Sequence, residues 1–493
     1  MILRDLLEAM GAPGFAGDAG REVLRLASDS RRVRPGDLFF ALAGPRREGR
    51  AHVREALAAG AVAAVVDREA EPAEGPLIRV AEPRRALAEA ADRFHGSPSR
   101  RLRLVGLTGT NGKTTTSWML ESVFRAAGLE PGLIGTTGIR FGGVTRPNPY
   151  TTPEPADLQA LLREMADAGV RAVALEVSSH ALVQRRAYGL AFDVVAFSNL
   201  TRDHLDYHGT MESYLDAKLM LFDGRNGLPP GKAATAVVNA DDPAAGAVLE
   251  AARRGGLRPL RYGAAAAAEV RIVRAEAVPG GLAVALEAGT TLELRLPLFG
   301  RYNAWNAAAA FAAARALDIA PAAALAGLAA VRGVPGRLEP VEAGQPFGVV
   351  VDYAHTPDAL ERALGALREH AAGRLLAVFG CGGDRDRGKR PEMGRVARAG
   401  ADEVWVTSDN PRSEAPAGIA AEILAGAGGA GGPVHLELDR RAAIAAALTA
   451  ARPGDTVLIA GKGHETAQVV GDRVLPFDDR EVARELLRAG GRA

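Results

Sequence analysis

Short apolar runs alternate along the chain with longer stretches of helical period, a pattern typical of parallel sheets covered by helices. In the first segment, residues 1–98, strands are predicted at Gly36–Ala43 and Ala61–Asp67, with a helix at Ala51–Gly60 between them. This order predicts a small α/β unit. The stretch HGSPS at His95–Ser99 has the turn-forming composition of a linker.

The second segment, residues 99–333, repeats the alternation on a larger scale. Strands are predicted at Leu102–Leu107, Arg171–Val177, Phe192–Phe197 and Ala234–Val238. Helical stretches separate them, so a mostly parallel sheet is expected. The alanine-rich stretch Ala304–Ala330 predicts two packed helices divided near Pro321.

The third segment, residues 334–493, begins at the turn-rich break Gly333–Arg337. Its strands are predicted at Gly348–Tyr353, Leu375–Phe379, Glu403–Thr407 and Thr456–Ile459. Helical stretches again intervene, and Gly426–Gly432 is predicted to be a flexible loop. The fold class is therefore α/β, with a second doubly wound unit of Rossmann type in this segment.

Composition narrows the possible classes of protein. A chain of 493 residues is too long for one core, so two to four domains are expected. A formal net charge of +1 gives no argument for nucleic acid, and no apolar run reaches membrane-span length. The charged, amphipathic start is unlike a signal peptide. A single cysteine, Cys381, excludes an internal disulfide and fits a reducing cytoplasm, where we expect a monomer.

Lysine is rare in this chain. Only five of the 60 basic residues are lysines: Lys113, Lys218, Lys232, Lys389 and Lys462. A lysine retained in an arginine-rich chain can mark a position that needs a compact amine able to lose its proton. Lys232, in the loop Pro229–Lys232, is interpreted as chance.

The stretch Leu102–Thr116, LRLVGLTGTNGKTTT, predicts a nucleotide site. An apolar strand runs into a glycine loop, and a helix is predicted from Thr114. Such a loop lets backbone N–H groups, Lys113 and the Thr114 hydroxyl reach phosphates and Mg²⁺. The strict phosphate-loop pattern has glycine where this chain has Leu107. The alternative is a glycine-rich turn with an exposed lysine.

Polar motifs follow eight of the predicted strands. In chain order they are TGTNGKTT, EVSSH, SNLTRDHLD, NADD, DYAHTPD, GCGGDRDRGKR, SDNPR and AGKGHE. Ligands of open α/β sheets bind beyond the carboxyl ends of the strands. A large site between two sheets is therefore predicted.

Several residues in these motifs are candidates for chemistry, each with a plainer alternative. Glu176 at a strand end can bind Mg²⁺, or it is a satisfied buried carboxylate. His204 can bind a second metal, or it is structural. Lys218 lies in a predicted amphipathic helix, where a surface lysine is the plain interpretation. Asn303 and Asn306 can hydrogen-bond an adenine edge or ribose, or cap the helix that follows.

The third segment carries a basic loop and a short polar turn. The basic side chains of the loop are Arg385, Arg387, Lys389 and Arg390. They suit phosphate or carboxylate, or form a solvated face. The turn Asp409–Arg412 suits a ligand with both ammonium and carboxylate groups, or is a plain Asn-Pro turn. Cys381 is interpreted as a small packed residue with no base to activate it.

Taken together, these motifs resemble the Mur ligases of peptidoglycan synthesis along the whole chain. The matching stretches are DSR at Asp29–Arg31, GTNGKTT, YTTPE, EVSSHALVQRR, NLTRDHLDYHG, the helix of Lys218, GRYNAWN, GVPGRLE, VDYAHTPD, GCGGDRDRGKRPEMG, DNPR and GKGHE. Folylpolyglutamate synthases share only the ATP-side subset. The residues Pro45–Arg47 and Tyr150 differ from the usual family versions.

The resemblance implies three domains: a UDP-sugar-binding domain, a central phosphate-loop ATPase and a C-terminal amino-acid-binding domain. It implies ATP and Mg²⁺ as cofactors, with Lys113, Lys218, His204 and Glu176 as catalytic residues. Thr114, Glu176, His204 and Lys218 would be the metal ligands, Lys218 as a carbamate formed with CO₂. The implied ATP-binding residues are Gly109, Thr110, Asn111, Gly112, Lys113, Thr114, Thr115, Asn303, Asn306, Arg337 and Asp352.

The resemblance also implies two sites for small-molecule substrates. The UDP-sugar peptide would contact Ser28, Ser30, Pro45, Arg46, Arg47, Thr151, Thr152, Ser178, Gln184 and Arg186. Diaminopimelate would contact Arg385, Asp409, Asn410, Pro411, Arg412, Gly461 and Glu465.

The motifs are most similar to the family members that add meso-2,6-diaminopimelate to UDP-N-acetylmuramoyl-L-alanyl-D-glutamate. The implied reaction is ATP-dependent amide formation through an acyl-phosphate. The alternatives are the same ligase acting on L-lysine, and a phosphate-loop ATPase switch without ligase chemistry.

Overall fold

A computed structural model describes residues 1–44, 47–69, 75–227, 232–428 and 432–490 of the chain. Each of its three large sheets takes its strands from one of the predicted segments. The segment boundaries themselves stay predictions.

The first segment forms a four-stranded parallel sheet in the order β1-β2-β5-β6. Its elements are α1 (Leu3–Ala9), β1 (Arg25–Ala27), β2 (Asp37–Phe40), β3 (Ala43–Gly44), β4 (Arg47–Glu48), α2 (Val53–Ala58), β5 (Ala63–Asp67), β6 (Leu77–Val80) and α3 (Pro83–Phe94). The strand Asp37–Phe40 is buried on both faces, as its continuous apolar run predicts.

The central segment forms an eleven-stranded sheet within the described residues, in the order β10-β9-β8-β11-β7-β12-β13-β14-β15-β16-β17. Its strands are β7 (Arg103–Thr108), β8 (Pro131–Gly135), β9 (Gly138–Phe141), β10 (Val144–Arg146), β11 (Ala172–Glu176), β12 (Val194–Phe197), β13 (Thr235–Asn239), β14 (Arg258–Gly263), β15 (Val270–Val278), β16 (Gly281–Glu287) and β17 (Thr291–Leu296). Its helices are α4 (Lys113–Ala126), α5 (Pro155–Asp167), α6 (Ser179–Val183), α7 (Leu205–His208), α8 (Met211–Leu219), α9 (Ala245–Arg254), α10 (Tyr302–Ala316) and α11 (Pro321–Ala329).

The four predicted central strands are confirmed as the parallel neighbours β11, β7, β12 and β13. Antiparallel strands extend this parallel part at both ends of the sheet. The two alanine-rich helices are also confirmed. Helix α10 is buried almost all round, because alanine side chains let neighbouring helices and strands approach closely.

The last segment forms a six-stranded sheet in the order β18-β19-β23-β20-β21-β22, parallel apart from the short β18. Its elements are β18 (Glu339–Pro340), β19 (Gly348–Asp352), α12 (Pro357–Arg368), β20 (Leu375–Phe379), α13 (Lys389–Gly400), β21 (Glu403–Val406), α14 (Pro416–Gly426), β22 (Val434–Leu436), α15 (Arg440–Ala450), β23 (Thr456–Ala460), β24 (Ala467–Val470), β25 (Arg473–Pro476) and α16 (Asp479–Gly490). The predicted α/β fold class is confirmed. The loop predicted at Gly426–Gly432 lies partly outside the described residues.

Lys232 ties the start of the central sheet together, so its interpretation as a chance lysine is wrong. Its ammonium group donates to the carbonyl oxygens of Leu102 at 2.6 Å and of Ser99 and Ala191 at 3.1 Å. It also pairs with Asp193 at 2.6 Å. A compact ammonium with three donors can serve such a ring of oxygens, which a planar guanidinium cannot.

None of the helices in the described ranges has the combined length and apolarity needed to cross a bilayer. Residues of the polar motifs from the central and last segments line one cavity between their two sheets.

Candidate functional site

A cavity of about 850 Å³ lies at the carboxyl ends of the central strands, between the central and last segments. The predicted residues that line it are Thr110, Asn111, Gly112, Lys113, Thr114, Thr115, Thr151, Glu176, Ser178, His204, Asn303, Asn306, Arg337 and Asp352. The sheet topology brings together positions far apart in the chain, as the strand-end rule predicts.

The loop after β7 has the form of a phosphate cradle. Gly112, at φ 88°, precedes α4, and a Cβ atom there would lie 2.4 Å from the Asn306 side-chain oxygen. Lys113 is half-buried and donates to the carbonyl oxygens of Gly109 at 2.7 Å and Thr110 at 2.8 Å. Burial lowers its pKa. The alternative of an exposed lysine on a plain turn is therefore wrong.

Glu176 lies fully buried at the end of β11, with a carboxylate that faces this loop. Its Oε2 atom accepts hydrogen bonds from the hydroxyls of Thr114 and Thr136, each at 3.0 Å. Its Oε1 atom accepts from the Thr136 backbone N–H at 3.1 Å. A Cβ atom on Gly135 would lie 2.1 Å from Oε1, so only glycine allows this approach. The carboxylate is fully hydrogen-bonded and also lines the cavity. It is therefore a satisfied buried carboxylate that is also placed where a Mg²⁺ ligand would be.

Thr136 is a site residue that sequence reasoning missed. Besides Glu176, its hydroxyl contacts the Thr151 hydroxyl at 3.1 Å. It therefore links the predicted metal ligand to the predicted sugar-peptide site. The stretch GTTG directly after an apolar run, at Gly135–Gly138, was the available signal.

His204 has a left-handed backbone, with φ 55°, at the entry to α7. Its backbone N–H donates to Asp203 Oδ1 at 2.8 Å, and its ring Nε2 lies 3.4 Å from Asp203 Oδ2. Burial, the largest cause, lowers the pKa of His204 to about 4. A neutral imidazole is the form that can bind a metal.

Lys218 is fully buried in α8, which contradicts the surface-lysine interpretation. Its Nζ atom lies 4.2 Å from the centroid of the Tyr214 ring, and no described carboxylate pairs with it. Burial, followed by the charge of Lys113, lowers the pKa of Lys218 well below its ordinary value. The Tyr214 hydroxyl contacts the Thr110 hydroxyl at 3.2 Å, so Lys218 lies just behind the phosphate loop.

Three further ring side chains, which the sequence did not single out, form a cluster next to His204. His180 contacts the His204 ring, and the rings of Tyr207 and His208 contact His180. The His180 ring lies 4.9 Å from that of His204, and burial lowers the pKa of His180 to about 4. Among the described residues, no three His, Cys, Asp or Glu side chains converge as a ready metal site.

The two candidate asparagines do not cap the helix that contains them, so that alternative is wrong. Helix α10 begins at Tyr302, and no side chain caps it. Asn303 donates to the Phe299 carbonyl at 2.7 Å, and Asn306 donates to Asn303 Oδ1 at 2.8 Å. Both are buried and line the cavity.

The last segment reaches the phosphate loop directly. Arg337 donates to the Thr114 hydroxyl at 3.3 Å. Asp352 is buried, and its two oxygen atoms accept from the backbone N–H groups of Leu338 at 2.6 Å and Ala354 at 2.8 Å. These bonds fix the carboxylate at the cavity wall.

Part of the predicted sugar-peptide set forms one hydrogen-bonded cluster beside Glu176. The Thr152 hydroxyl donates to the Glu176 carbonyl at 2.8 Å and accepts from Ser178 N–H at 3.2 Å. Arg186 donates to the Thr152 carbonyl at 3.0 Å and to Gln184 Oε1 at 2.7 Å. Ser28 and Ser30 lie after β1, and no described hydrogen bond joins them to this cluster. Pro45, Arg46 and the Arg47 side chain lie outside the described residues.

Two arginines of the predicted amino-acid site flank Gly382. A Cβ atom there would lie 2.8 Å from Arg412 Nη1 and 3.8 Å from Arg385 Cγ. Arg412 donates to the Gly383 carbonyl at 2.7 Å, and Arg385 to the Asp384 carbonyl at 3.1 Å. Within the described residues neither pairs with a carboxylate. Burial, and then the charge of Arg385, lower the pKa of Arg412.

Two other arginines of the basic loop form ion pairs within the last segment. Arg390 is fully buried and pairs with Glu414 and Glu422, each at 2.8 Å, and Arg387 also pairs with Glu422. Cys381 packs against Met393, and burial raises its pKa to about 12, as expected for an inert thiol.

Comparisons with known proteins agree along the chain. Residues 22–95, 107–314 and 336–463 match, in turn, the Mur ligase family catalytic domain, the Mur ligase middle domain and the Mur ligase glutamate ligase domain. A UDP-N-acetylmuramoyl-L-alanyl-D-glutamate–2,6-diaminopimelate ligase from Geobacillus thermodenitrificans is 44% identical over 493 residues, covering 99% of each chain.

Solved structures give the same result for the fold. A structure of a UDP-N-acetylmuramoyl-L-alanyl-D-glutamate–2,6-diaminopimelate ligase is 33% identical with a TM-score of 0.70, covering 100% of this chain and 99% of that one. The MurF ligase from Thermotoga maritima in complex with ADP is 22% identical with a TM-score of 0.63, covering 95% and 98%.

Proposed function

This chain belongs to the Mur ligase family, and we propose that it joins meso-2,6-diaminopimelate to UDP-N-acetylmuramoyl-L-alanyl-D-glutamate at the expense of ATP. The observation that carries the choice of amino acid is the pair Arg385 and Arg412, which flank Gly382 without a described carboxylate partner. Two adjacent guanidinium groups repel each other and attract a ligand carboxylate.

ATP binds with its phosphates on the loop Gly109–Thr115 and its nucleoside between Asn303, Asn306 and the last segment. The glycine loop, the N-terminus of α4 and Lys113 provide the positive potential that polyphosphate needs. The ADP complex of the structurally similar MurF ligase is consistent with this use of ATP.

The donor set beside the phosphate loop fits Mg²⁺. The Thr114 hydroxyl and the Glu176 carboxylate are hard oxygen donors 3.0 Å apart, and neutral His204 lines the same cavity. When bound, Mg²⁺ neutralises phosphate charge. The loop Gly109–Thr115 holds the phosphates in line with the D-glutamyl carboxylate that accepts the γ-phosphoryl group.

After reaction with CO₂, Lys218 would provide a further oxygen ligand for Mg²⁺. Burial lowers the pKa of its amine well below the ordinary value, which favours the unprotonated form whose nitrogen lone pair attacks CO₂ with release of a proton. The new N–C bond turns a potential cation into an anionic oxygen donor. An arginine cannot do this, which accounts for a lysine at this position.

The reaction proceeds in two steps. The D-glutamyl carboxylate takes the γ-phosphoryl group of ATP, and ADP leaves. The resulting acyl-phosphate is then attacked by an unprotonated amine of diaminopimelate, which forms the amide and releases phosphate and a proton. Two anions meet in the first step, so Lys113 has to offset their repulsion. Asn111 and Arg337 bring the two segments together over the loop and help exclude water.

A product assay tests this proposal. The enzyme should release phosphate only when both the UDP-sugar dipeptide and diaminopimelate are present, and mass spectrometry should show the tripeptide product. Phosphate release without the amino acid would instead indicate an ATPase switch, and a lysine product would identify the alternative ligase. We also propose that the enzyme is a monomer and that it is cytoplasmic, a compartment that the single cysteine fits.

A further inference from the structure

Lys462 is fully buried beneath the amino-acid site. It follows β23 in the motif GKGHE and is one of only five lysines in the chain. Its neighbours Gly461 and Glu465 belong to the proposed diaminopimelate site, whereas Lys462 has no assigned role. A buried ammonium group needs hydrogen-bond or charged partners that offset the free-energy cost of its desolvation.

Those partners are two residues of the amino-acid site. Lys462 Nζ donates to Asn410 Oδ1 at 3.1 Å and to Glu465 Oε2 at 3.2 Å. The Val469 backbone N–H also donates to Asn410 Oδ1, at 3.0 Å. Because two donors reach Oδ1, the Asn410 amide has one possible orientation, and its Nδ2 group donates to Glu465 Oε2 at 2.9 Å.

This network leaves one carboxylate oxygen of Glu465 available. Both hydrogen bonds to Glu465 fall on Oε2, and no described residue donates to Oε1. The Glu465 side chain is 32% exposed, so a ligand can reach it. Oε1 is therefore left as an acceptor that an ammonium group can use.

Lys462 also balances the charge of two neighbouring carboxylates. Burial raises the pKa of Asp409, and the charges of Arg440 and Lys462 oppose that rise while Glu465 adds to it. Without this buried cation the pKa of Asp409 would rise further, so its carboxyl group would bind a proton more readily and attract an ammonium group less.

We propose that Lys462 is a positioning residue for the amino-acid substrate. It holds Asn410 and Glu465 so that Glu465 Oε1 receives the substrate ammonium group beside the carboxylate bound by Arg412. This inference rests on the proposed function, because it needs a substrate that carries both groups at one end.

The first test is Lys462→Met, which removes the charge and keeps the side-chain length. Loss of one partner of a buried charged pair should raise the apparent KM for diaminopimelate by about 30-fold or more. The KM values for ATP and the UDP-sugar dipeptide, and kcat at saturating amino acid, should stay within about threefold. An equal rise in the KM values for all three substrates would overturn the inference.

A double-mutant cycle separates positioning from packing. Lys462→Gln is compared in wild-type enzyme and in Glu465→Gln, with circular dichroism as the check on folding. If Lys462 acts through Glu465, Lys462→Gln should raise the apparent KM for diaminopimelate much less in the Glu465→Gln enzyme than in the wild-type enzyme. Additive losses, or failure of both Lys462 variants to fold, would overturn the inference. A wild-type enzyme that does not use diaminopimelate would instead refute the proposed function.

Discussion

The side-chain amide of Asn111 donates a hydrogen bond of 2.9 Å to Asp358 Oδ2, which joins the phosphate loop to the first turn of α12 in the last segment. The bond joins two segments whose strands form separate sheets. The same carboxylate also pairs with Arg362 on its own helix, at 2.9 Å. The Asp358 side chain therefore contacts the phosphate loop directly, and its hydrogen bond depends on the position of that loop.

Asp358→Ala should weaken closure over ATP. The bond is partly solvent-exposed, so we expect a loss of about 1 kcal/mol, seen as a roughly fivefold lower kcat/KM for ATP. Steady-state kinetics measures this. Glu361→Ala is the matched control, because it removes an exposed carboxylate of the same helix that does not line the cavity. An equal effect of both substitutions would contradict a role in closure.

Lys218→Arg should abolish activity while the fold stays intact. Arginine keeps a positive charge but cannot form a carbamate, so an oxygen ligand is lost. Lys218→Ala should be partly rescued by small carboxylates such as acetate. Retention of more than about a tenth of the wild-type rate by Lys218→Arg, a loss below ~1.4 kcal/mol, would refute the carbamate.

Lys113→Ala should lower kcat by about 100-fold or more. Binding of the UDP-sugar peptide should stay nearly unchanged. The substitution removes the cation from the phosphate site alone. Calorimetric titration with the UDP-sugar peptide checks the second part. Arg125→Ala, on the exposed face of the same helix, is the control. A comparable loss of sugar affinity would mean that the two sites are wrongly divided.

Arg412→Ala should raise the apparent KM for diaminopimelate by roughly 30-fold or more, because the ligand carboxylate loses a desolvated partner. Arg412 attracts that carboxylate and repels the bare ammonium end of lysine, so the preference for diaminopimelate should fall as well. Competition between the two amino acids at equal concentration measures it. Arg387→Ala, which breaks only the exposed pair with Glu422, should change neither quantity.

Patterns of local sequence predicted most of the fold. The runs at Leu102–Leu107 and Leu375–Phe379 are buried parallel strands in the structure, because continuous apolar runs suit strands covered on both faces. The antiparallel strands β15 to β17 were not predicted. Their burial varies from residue to residue, since one face meets helices and the other meets solvent.

The family and the fold class were predicted and are confirmed, whereas the residue roles at the site stay predictions. Sequence spacing could not show that Lys218 is buried or that Arg390 is paired, because both facts depend on neighbours distant in the chain. Lys232 gave no local signal for the same reason. Its partner oxygen atoms come from Ser99 and Leu102 on one side and Ala191 and Asp193 on the other.

The antiparallel strands that end the central sheet also bear on solubility. At one edge, β10 has three exposed residues, and its Arg146 pairs with Glu164 at 2.7 Å. At the other edge, Glu293 and Arg295 alternate outward along β17. A long, flat, apolar edge strand would offer its unpaired N–H and C=O groups as a template for aggregation. The short edge strand β10 and the charged edge strand β17 therefore disfavour the pairing of other chains with this wide sheet.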